Sequence, residues 1–147
     1  MDINVNVVEN PVYIPYFKKP QFLQIFFGGS SSGKSFFITD KIVIDTIDGC
    51  NWLCCRNVAK TIRNSVFNEV VKSINSMGVQ KHFNINKSDM VITCKLNKRQ
   101  ILFCGLDDPE KVKSITPQDG VLDGTPIELA TEAKRGTKLQ LKKRLRV

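Results

Sequence analysis

Residues 28–35 carry the pattern of residue types that most directly predicts chemistry in this chain. They read Gly28-Gly29-Ser30-Ser31-Ser32-Gly33-Lys34-Ser35 and match G-x-x-x-x-G-K-[ST], the phosphate-binding loop or P-loop. Small residues let backbone N–H groups turn inward around phosphate oxygens, Lys34 supplies a positive charge for the β- and γ-phosphates, and the Ser35 hydroxyl can ligate Mg²⁺. The motif predicts that nucleotide phosphates bind here, and a flexible Gly/Ser-rich turn is the alternative.

The segments on both sides of the P-loop must position it. The apolar run at 22–27 predicts a buried strand, and residues 35–48 predict a helix that Gly49 ends. Such a helix points the positive end of its dipole at the bound anion. Strand, loop and helix in this order are the setting in which the motif binds phosphate.

The elements that follow continue the α/β order. Residues 52–55 predict a buried strand that ends at Arg56. Apolar residues at three- and four-residue spacings over 61–77 predict a helix that Gly78 ends. Strand, helix, strand and helix in succession predict a P-loop NTPase-type, mostly parallel sheet flanked by helices.

A change of periodicity then predicts an insertion into this sheet. Residues 90–96 alternate, residues 97–98 form a polar turn, and residues 100–104 return, which predicts a β-hairpin. Residues 107–110 supply capping groups and a proline for a short helix that ends near Ser114.

Length and composition place the chain among ordinary globular proteins. Its 147 residues suffice for one domain, and no apolar run approaches the roughly 18 residues of a membrane span. The N-terminus lacks the pattern of a signal peptide, so a cytosolic protein is expected. The five cysteines have no C-x-x-C spacing and the sole histidine is His82, so we expect reduced, mostly buried thiols rather than a zinc site.

The positive charge is concentrated at the C-terminus. The net charge is +8, and residues 134–147 hold seven basic residues and no acid. This basic tail predicts either binding to nucleic-acid phosphates or a solvated face, and the sequence leaves both open.

Aromatic residues near the N-terminus alternate with prolines. Residues 1–20 hold Pro11, Pro15 and Pro20 with Tyr13, Tyr16 and Phe17 between them, which predicts an extended segment. Its rings could stack on a nucleotide base or pack on the edge of the sheet, and packing is favoured.

Several runs, in this order and spacing, resemble the ATPase domain of tailed-phage terminase large subunits. They are the P-loop with Gly28-Gly29, Arg56, Thr61-Ile62-Arg63-Asn64-Ser65-Val66-Phe67, Phe83-Asn84-Ile85-Asn86-Lys87-Ser88 and Phe103-Cys104-Gly105-Leu106-Asp107-Asp108-Pro109-Glu110-Lys111. The resemblance covers residues 13–115 well and continues less cleanly to the end. Other P-loop ATPases such as helicases share none of the later runs, which disfavours them.

This resemblance implies part of a DNA-packaging motor that binds ATP and Mg²⁺. Family members form a homo-oligomeric ring on the capsid portal protein in the bacterial cytoplasm, act with a small terminase subunit and drive double-stranded DNA inward. They also carry a C-terminal RNase H-like nuclease domain. The chain stops short of that domain, so nuclease activity is not expected. We expect an incomplete domain, such as the product of a truncated or decayed prophage gene.

The cationic groups of the site depart from the family pattern. Many members have an arginine at the position of Ser30. Arg56 or Arg63 could supply charge to the phosphates instead, and a structural ion pair is an equally good role for either.

The acidic residues depart further. The family follows a hydrophobic strand with a metal-binding acid, a water-orienting acid and Ala-Thr-Glu, whereas this chain has Ile127-Glu128-Leu129-Ala130-Thr131-Glu132. Glu128 matches the metal acid, Leu129 cannot orient water, and Glu132 could serve only after a backbone rearrangement. Residues 123–126, with their proline, interrupt the strand that should carry these acids.

The resemblance thus implies catalytic roles for Lys34, Glu128 and Glu132, and metal binding by Ser35 and Glu128. Hydrolysis is expected to be weak, and ordinary surface carboxylates are the alternative for both glutamates. A non-catalytic nucleotide- or DNA-binding fragment of a packaging complex is the second functional hypothesis.

Overall fold

The computed structural model describes residues 3–5, 7–18, 33–56, 61–107, 110, 114–118 and 122–125. The predicted strand at 22–27 and the basic tail at 134–147 lie outside these residues. Of the predicted short helix, residues 110 and 114 are described and are helical.

The first long helix, α1 (Lys34–Asp48), confirms the helix predicted after the P-loop. It ends at Gly49, whose φ of 116° is left-handed and therefore suits a residue without a Cβ. The Asn97 side chain, on the turn of the hairpin, donates to the carbonyls of Thr46 and Ile47 at 2.9 and 3.0 Å. The polar turn predicted at 97–98 therefore also caps α1.

The second helical segment consists of a π-helical turn at Arg63–Phe67 followed by α2 (Asn68–Ser76). This confirms the predicted helix and its end, since Gly78 has a φ of 73°. The apolar stripe places Val70 and Ile74 in the core. Buried Ser73 donates to Thr39 of α1 at 2.7 Å, which joins the two helices.

Four strands form one sheet in the order β1-β4-β3-β2. They are β1 (Trp52–Arg56), β2 (Phe83–Asn86), β3 (Val91–Cys94) and β4 (Gln100–Gly105). The pair β1–β4 is parallel, and the pairs β4–β3 and β3–β2 are antiparallel. The structure confirms the α/β fold and the inserted hairpin. Within the described residues the sheet is mixed because the hairpin strands β3 and β4 are antiparallel, and β2 extends the hairpin by a strand that the sequence did not predict.

The paired strands β1 and β4 are apolar on both faces because both faces are covered. On one face, α1 and α2 pack on side chains that include Cys54, Ile101 and Phe103. On the other, Leu53 and Leu102 form a second cluster whose remaining buried members are Cys55, Cys104, Leu106 and Leu122. Burial on both sides explains why β1 and β4 read as continuous apolar runs rather than alternating ones.

Candidate nucleotide site

The described part of the P-loop begins at Gly33, which lies immediately before α1. Gly33 has a φ of 80°, a left-handed conformation that costs other residues energy. Its carbonyl accepts a hydrogen bond from the Phe37 amide at 3.0 Å and closes the first helical turn. Lys34 is half-buried and Ser35 is exposed in this turn, while residues 28–32 lie outside the described residues.

Arg56 lies at the same edge of the sheet as this turn. Only residues 49–51 separate the end of α1 from the start of β1, so the chain reverses direction between them. The helix has 15 residues and spans about 22 Å, and β1 has five and spans about 17 Å. The start of α1 and the end of β1 therefore lie at one edge, where cationic Arg56 is half-buried.

The segment 122–125 pairs with β1 on the side opposite β4. Gly124 forms a parallel bridge with Trp52, and its carbonyl accepts from the Leu53 amide at 3.0 Å. The Thr125 hydroxyl donates to the Leu53 carbonyl. Residues 123–126 were predicted to interrupt the strand, and over 122–125 the pairing with β1 is an isolated bridge at Gly124 rather than a continuous strand.

Glycine is required at 124 because of the Trp52 ring. A Cβ at this position would lie 2.5 Å from one ring carbon, well inside van der Waals contact. The absent side chain, which made the segment look like a turn in the sequence, is what allows it to approach β1.

Asn51 is a buried residue for which the sequence predicts no role. Its amide donates to the Asp123 carboxylate at 2.8 Å, and its carbonyl accepts from the Asp123 amide at 2.8 Å. Its side-chain oxygen accepts from the Gln100 amide, also at 2.8 Å. Asn51 therefore joins the start of β1 to β4 and to the segment 122–125. Nothing in the sequence around Asn51, which follows Gly49 by two residues, predicts these contacts.

The remaining predicted site residues, Glu128, Leu129 and Glu132, lie outside the described residues. Arg63 is described in its backbone, within the π-helical turn. The structure thus brings together Gly33, Lys34 and Ser35 at the start of one helix, with Arg56 at the same edge.

The N-terminal segment packs on the start of α1. The Tyr13 ring stacks on Phe37, with centroids 5.1 Å apart and planes 13° apart, and Phe17 meets Phe37 edge-on at 5.0 Å. The favoured packing role of these rings is confirmed, but their partner is α1 rather than the sheet edge. The expected extended conformation is wrong: Pro11–Tyr16 form a 3₁₀ helix, since the fixed φ of proline suits it and the Asn10 side chain accepts from the Val12 amide at 3.2 Å.

The carboxyl groups of Glu9, just before the 3₁₀ helix, and of Asp40, on α1, form a hydrogen bond. Burial and a hydrogen bond to Asp40 raise the pKa of Glu9 from 4.5 to about 8. Asp40 is buried on α1, and Glu9 Oε1 is buried without a donor among the described residues. Their hydrogen bond therefore requires that one of the two carboxyls is protonated.

The thiols are structural. Four of the five cysteines are buried, as expected, and Cys50 is half-buried. The Sγ atoms of Cys55 and Cys104 lie 3.6 Å apart on neighbouring strands. The hydrogen bond to Cys104 and burial raise the pKa of Cys55, and burial raises the pKa of Cys54, so both remain protonated at neutral pH.

Other features of the described residues point to no second site. An open groove of about 600 Å³ lies at the far end of α1 and includes Ile47, Asp48 and Leu96, away from Gly33. No group of three or more His, Cys, Asp or Glu side chains in the described ranges could hold a metal ion. Within the same ranges, no helix is long and apolar enough to cross a membrane.

The architecture is that of known phage terminases. Two crystal forms of the large terminase from a thermophilic bacteriophage match with TM-scores of 0.63 and 0.60 at 16% identity. The matches cover 82% of this chain and 30% and 28% of those chains. At this identity the likeness shows the fold alone, a mixed α/β sheet flanked by helices.

Sequence comparison identifies the family. A family model described as phage terminase large subunit matches residues 20–147, so the chain belongs to that family. The terminase large subunit of Bacillus phage SPP1 is 31% identical over 108 residues, which are 73% of this chain and 26% of that protein. The predicted resemblance is confirmed, and the chain spans about a quarter to a third of the length of these relatives.

Proposed function

We propose that this chain is the ATP-binding motor domain of a phage DNA-packaging terminase large subunit. The observation that carries this proposal is left-handed Gly33 directly before α1, with Lys34 and Ser35 in the first helical turn. This arrangement presents the backbone N–H groups of a helix start, a helix dipole and an ammonium group to one anion. Membership of the terminase family supports ATP as the ligand and Mg²⁺ as its counter-ion.

Each residue of the loop has a separate role in this proposal. Residues 28–33 supply backbone N–H groups to the phosphates, Lys34 neutralises the β- and γ-phosphates, and Ser35 ligates Mg²⁺. Arg56, at the same edge, adds positive charge toward the phosphates. In the full-length protein, hydrolysis would be coupled to translocation of double-stranded DNA by a ring seated on the portal, with a small terminase subunit, in the cytoplasm of the host.

Glu128 is proposed as the second Mg²⁺ ligand. Gly124 pairs in parallel with Trp52, so at this bridge the segment 122–125 runs in the same direction as β1, which ends at Arg56. Glu128 follows Gly124 by four residues, the separation of Arg56 from Trp52. Leu129 holds the place of the water-orienting acid and has no carboxylate, so turnover should be slow unless Glu132 takes that role.

Nucleotide titration tests the proposal. Lys34→Ala should raise the Kd for Mg²⁺–ATP about tenfold or more, because a charge-assisted contact to phosphate is lost. Lys72→Ala, which removes an exposed lysine of α2, is the matched control and should leave the Kd unchanged. Equal Kd values for Lys34→Ala and the unaltered chain would refute the assignment.

Turnover tests the acidic half of the site. Leu129→Glu should increase the ATPase rate at least tenfold if Glu128 already holds the metal, since it restores a carboxylate for the attacking water. Leu129→Gln, of the same length but without the charge, is the control. A normal motor rate in the unaltered chain would contradict the role given to Leu129.

The basic tail supports a second candidate, a non-catalytic DNA-binding fragment of a packaging complex. Seven basic residues at 134–147 favour contacts to duplex phosphates. This function predicts salt-dependent duplex binding that is lost when 134–147 are deleted and persists in Lys34→Ala. Binding that survives the deletion would rule it out.

A further inference from the structure

We propose that Tyr13 is a positioning residue for the P-loop, acting through Phe37 on the conformation of Gly33. This inference rests on the proposed nucleotide site and assigns to the N-terminal 3₁₀ helix a part in forming it. The ring carries the effect by packing, without touching the nucleotide base.

The first step is the contact between Tyr13 and the loop. A Cβ built on Gly33 would lie 3.8 Å from Tyr13 Cε2, so the ring borders the residue at which the P-loop becomes helix. Glycine has the widest backbone freedom of any residue type and loses most on being fixed. A ring in this place limits the conformations that Gly33 can adopt.

The second step links Tyr13 to the helical turn that carries Lys34. Tyr13 stacks on Phe37, a fully buried residue whose amide donates to the Gly33 carbonyl at 3.0 Å. Phe37 is therefore held by its ring on one side and by its backbone on the other. Removing the Tyr13 ring would leave a gap beside Phe37 and loosen the hydrogen bond that fixes Gly33.

The third step is the rigidity of the segment that presents Tyr13. The Asn10 carbonyl accepts from the Tyr13 amide at 3.0 Å, and two prolines restrict the 3₁₀ helix. At its end, the Phe17 carbonyl accepts from Lys41 Nζ of α1 at 2.6 Å, and the Phe17 ring packs on Phe37. The segment that presents Tyr13 is thus stiffened internally and fastened to α1 at its C-terminal end.

Two ligands separate positioning from stacking on a base. Mg²⁺–ATP contains a base, whereas inorganic tripolyphosphate with Mg²⁺ contains only the phosphates. Tyr13→Ala should raise the Kd about tenfold for both ligands, because fixing a freed backbone residue on binding costs about that factor. Tyr13→Phe keeps the ring and should stay within about twofold, and Ile14→Ala, an exposed residue of the same 3₁₀ helix, should match the unaltered chain.

Hydrogen exchange supplies a readout that does not depend on ligand. In Tyr13→Ala the Phe37 amide should exchange at least tenfold faster than in the unaltered chain. The exchange rates of the α2 amides around Ser73 should not change. The measurements are made below the onset of unfolding of each variant. If Tyr13→Ala does not fold, Tyr13→Val, which removes most of the ring volume beside Phe37, is judged by the same criteria.

The outcomes distinguish three failures. Weaker ATP binding with unchanged tripolyphosphate binding would show that Tyr13 stacks on the base and would overturn the inference. Unchanged binding of both ligands, in a protein where Lys34→Ala weakens both, would overturn the inference and leave the proposed function standing. If Lys34→Ala also leaves both Kd values unchanged, the proposed function fails and the inference fails with it.

Discussion

Gly124→Ala tests the alignment of 122–125 with β1. The new Cβ would lie 2.5, 2.6 and 2.8 Å from three ring carbons of Trp52. Since carbon atoms in contact are about 3.5–4.0 Å apart, the segment or the ring must move by about 1 Å. Movement of the segment would stretch the 3.0 Å hydrogen bond from the Leu53 amide to the Gly124 carbonyl, and overpacking of this kind costs about 1–3 kcal/mol.

Thermal and denaturant unfolding measure this cost. For a chain of 147 residues, 1 kcal/mol lowers Tm by about 2–4 °C, so a decrease of about 2–12 °C is expected. A double-mutant cycle with Trp52→Leu isolates the clash, because the smaller side chain leaves room for the methyl group. In the Trp52→Leu background Gly124→Ala should cost less than about 0.5 kcal/mol. An equal cost in both backgrounds would show that the Trp52 ring does not clash with the new methyl group and would refute this reasoning.

Two further predictions concern titratable groups. Because the pKa of Glu9 is raised to about 8, the folded state binds more protons than the unfolded state between about pH 4.5 and 8, and stability should fall as pH rises through this window. Water screens this half-buried group, so we expect the free energy of unfolding to decrease by about 1 kcal/mol across the window. Glu9→Gln should abolish this pH dependence, and an unchanged dependence of the free energy of unfolding on pH in Glu9→Gln would contradict the prediction. Half-buried Cys50, whose pKa is raised by burial and by Asp123, should react with a disulfide reagent slowly in the native state, and the four buried thiols should react only on unfolding. Rapid native reaction of Cys54 or Cys94 would refute the described packing.

Local sequence patterns determined the helix boundaries, the buried faces and the family of this protein. Gly33 precedes the start of α1, Gly49 follows its end, and Gly78 follows the end of α2. All three have left-handed conformations, which cost a residue without a Cβ little energy. The apolar stripe of α2 predicted a helix with one buried face. The unbroken apolar run of β4 predicted a strand, and the structure buries that strand on both faces. The P-loop pattern and the runs after Arg56 likewise predicted the family, since residue types at fixed spacings are visible without the fold.

Contacts between distant residues required the tertiary structure. The sequence around Gly124 is rich in turn-forming residues, yet Asn51, 73 residues earlier, and the Trp52 ring hold the segment against β1. The prolines near Tyr13 fit both an extended chain and a 3₁₀ helix, and stacking on Phe37 decided between them. Residue types determined which groups could bind phosphate, whereas the tertiary structure decided what borders Gly33, because the Tyr13 ring comes from another part of the chain.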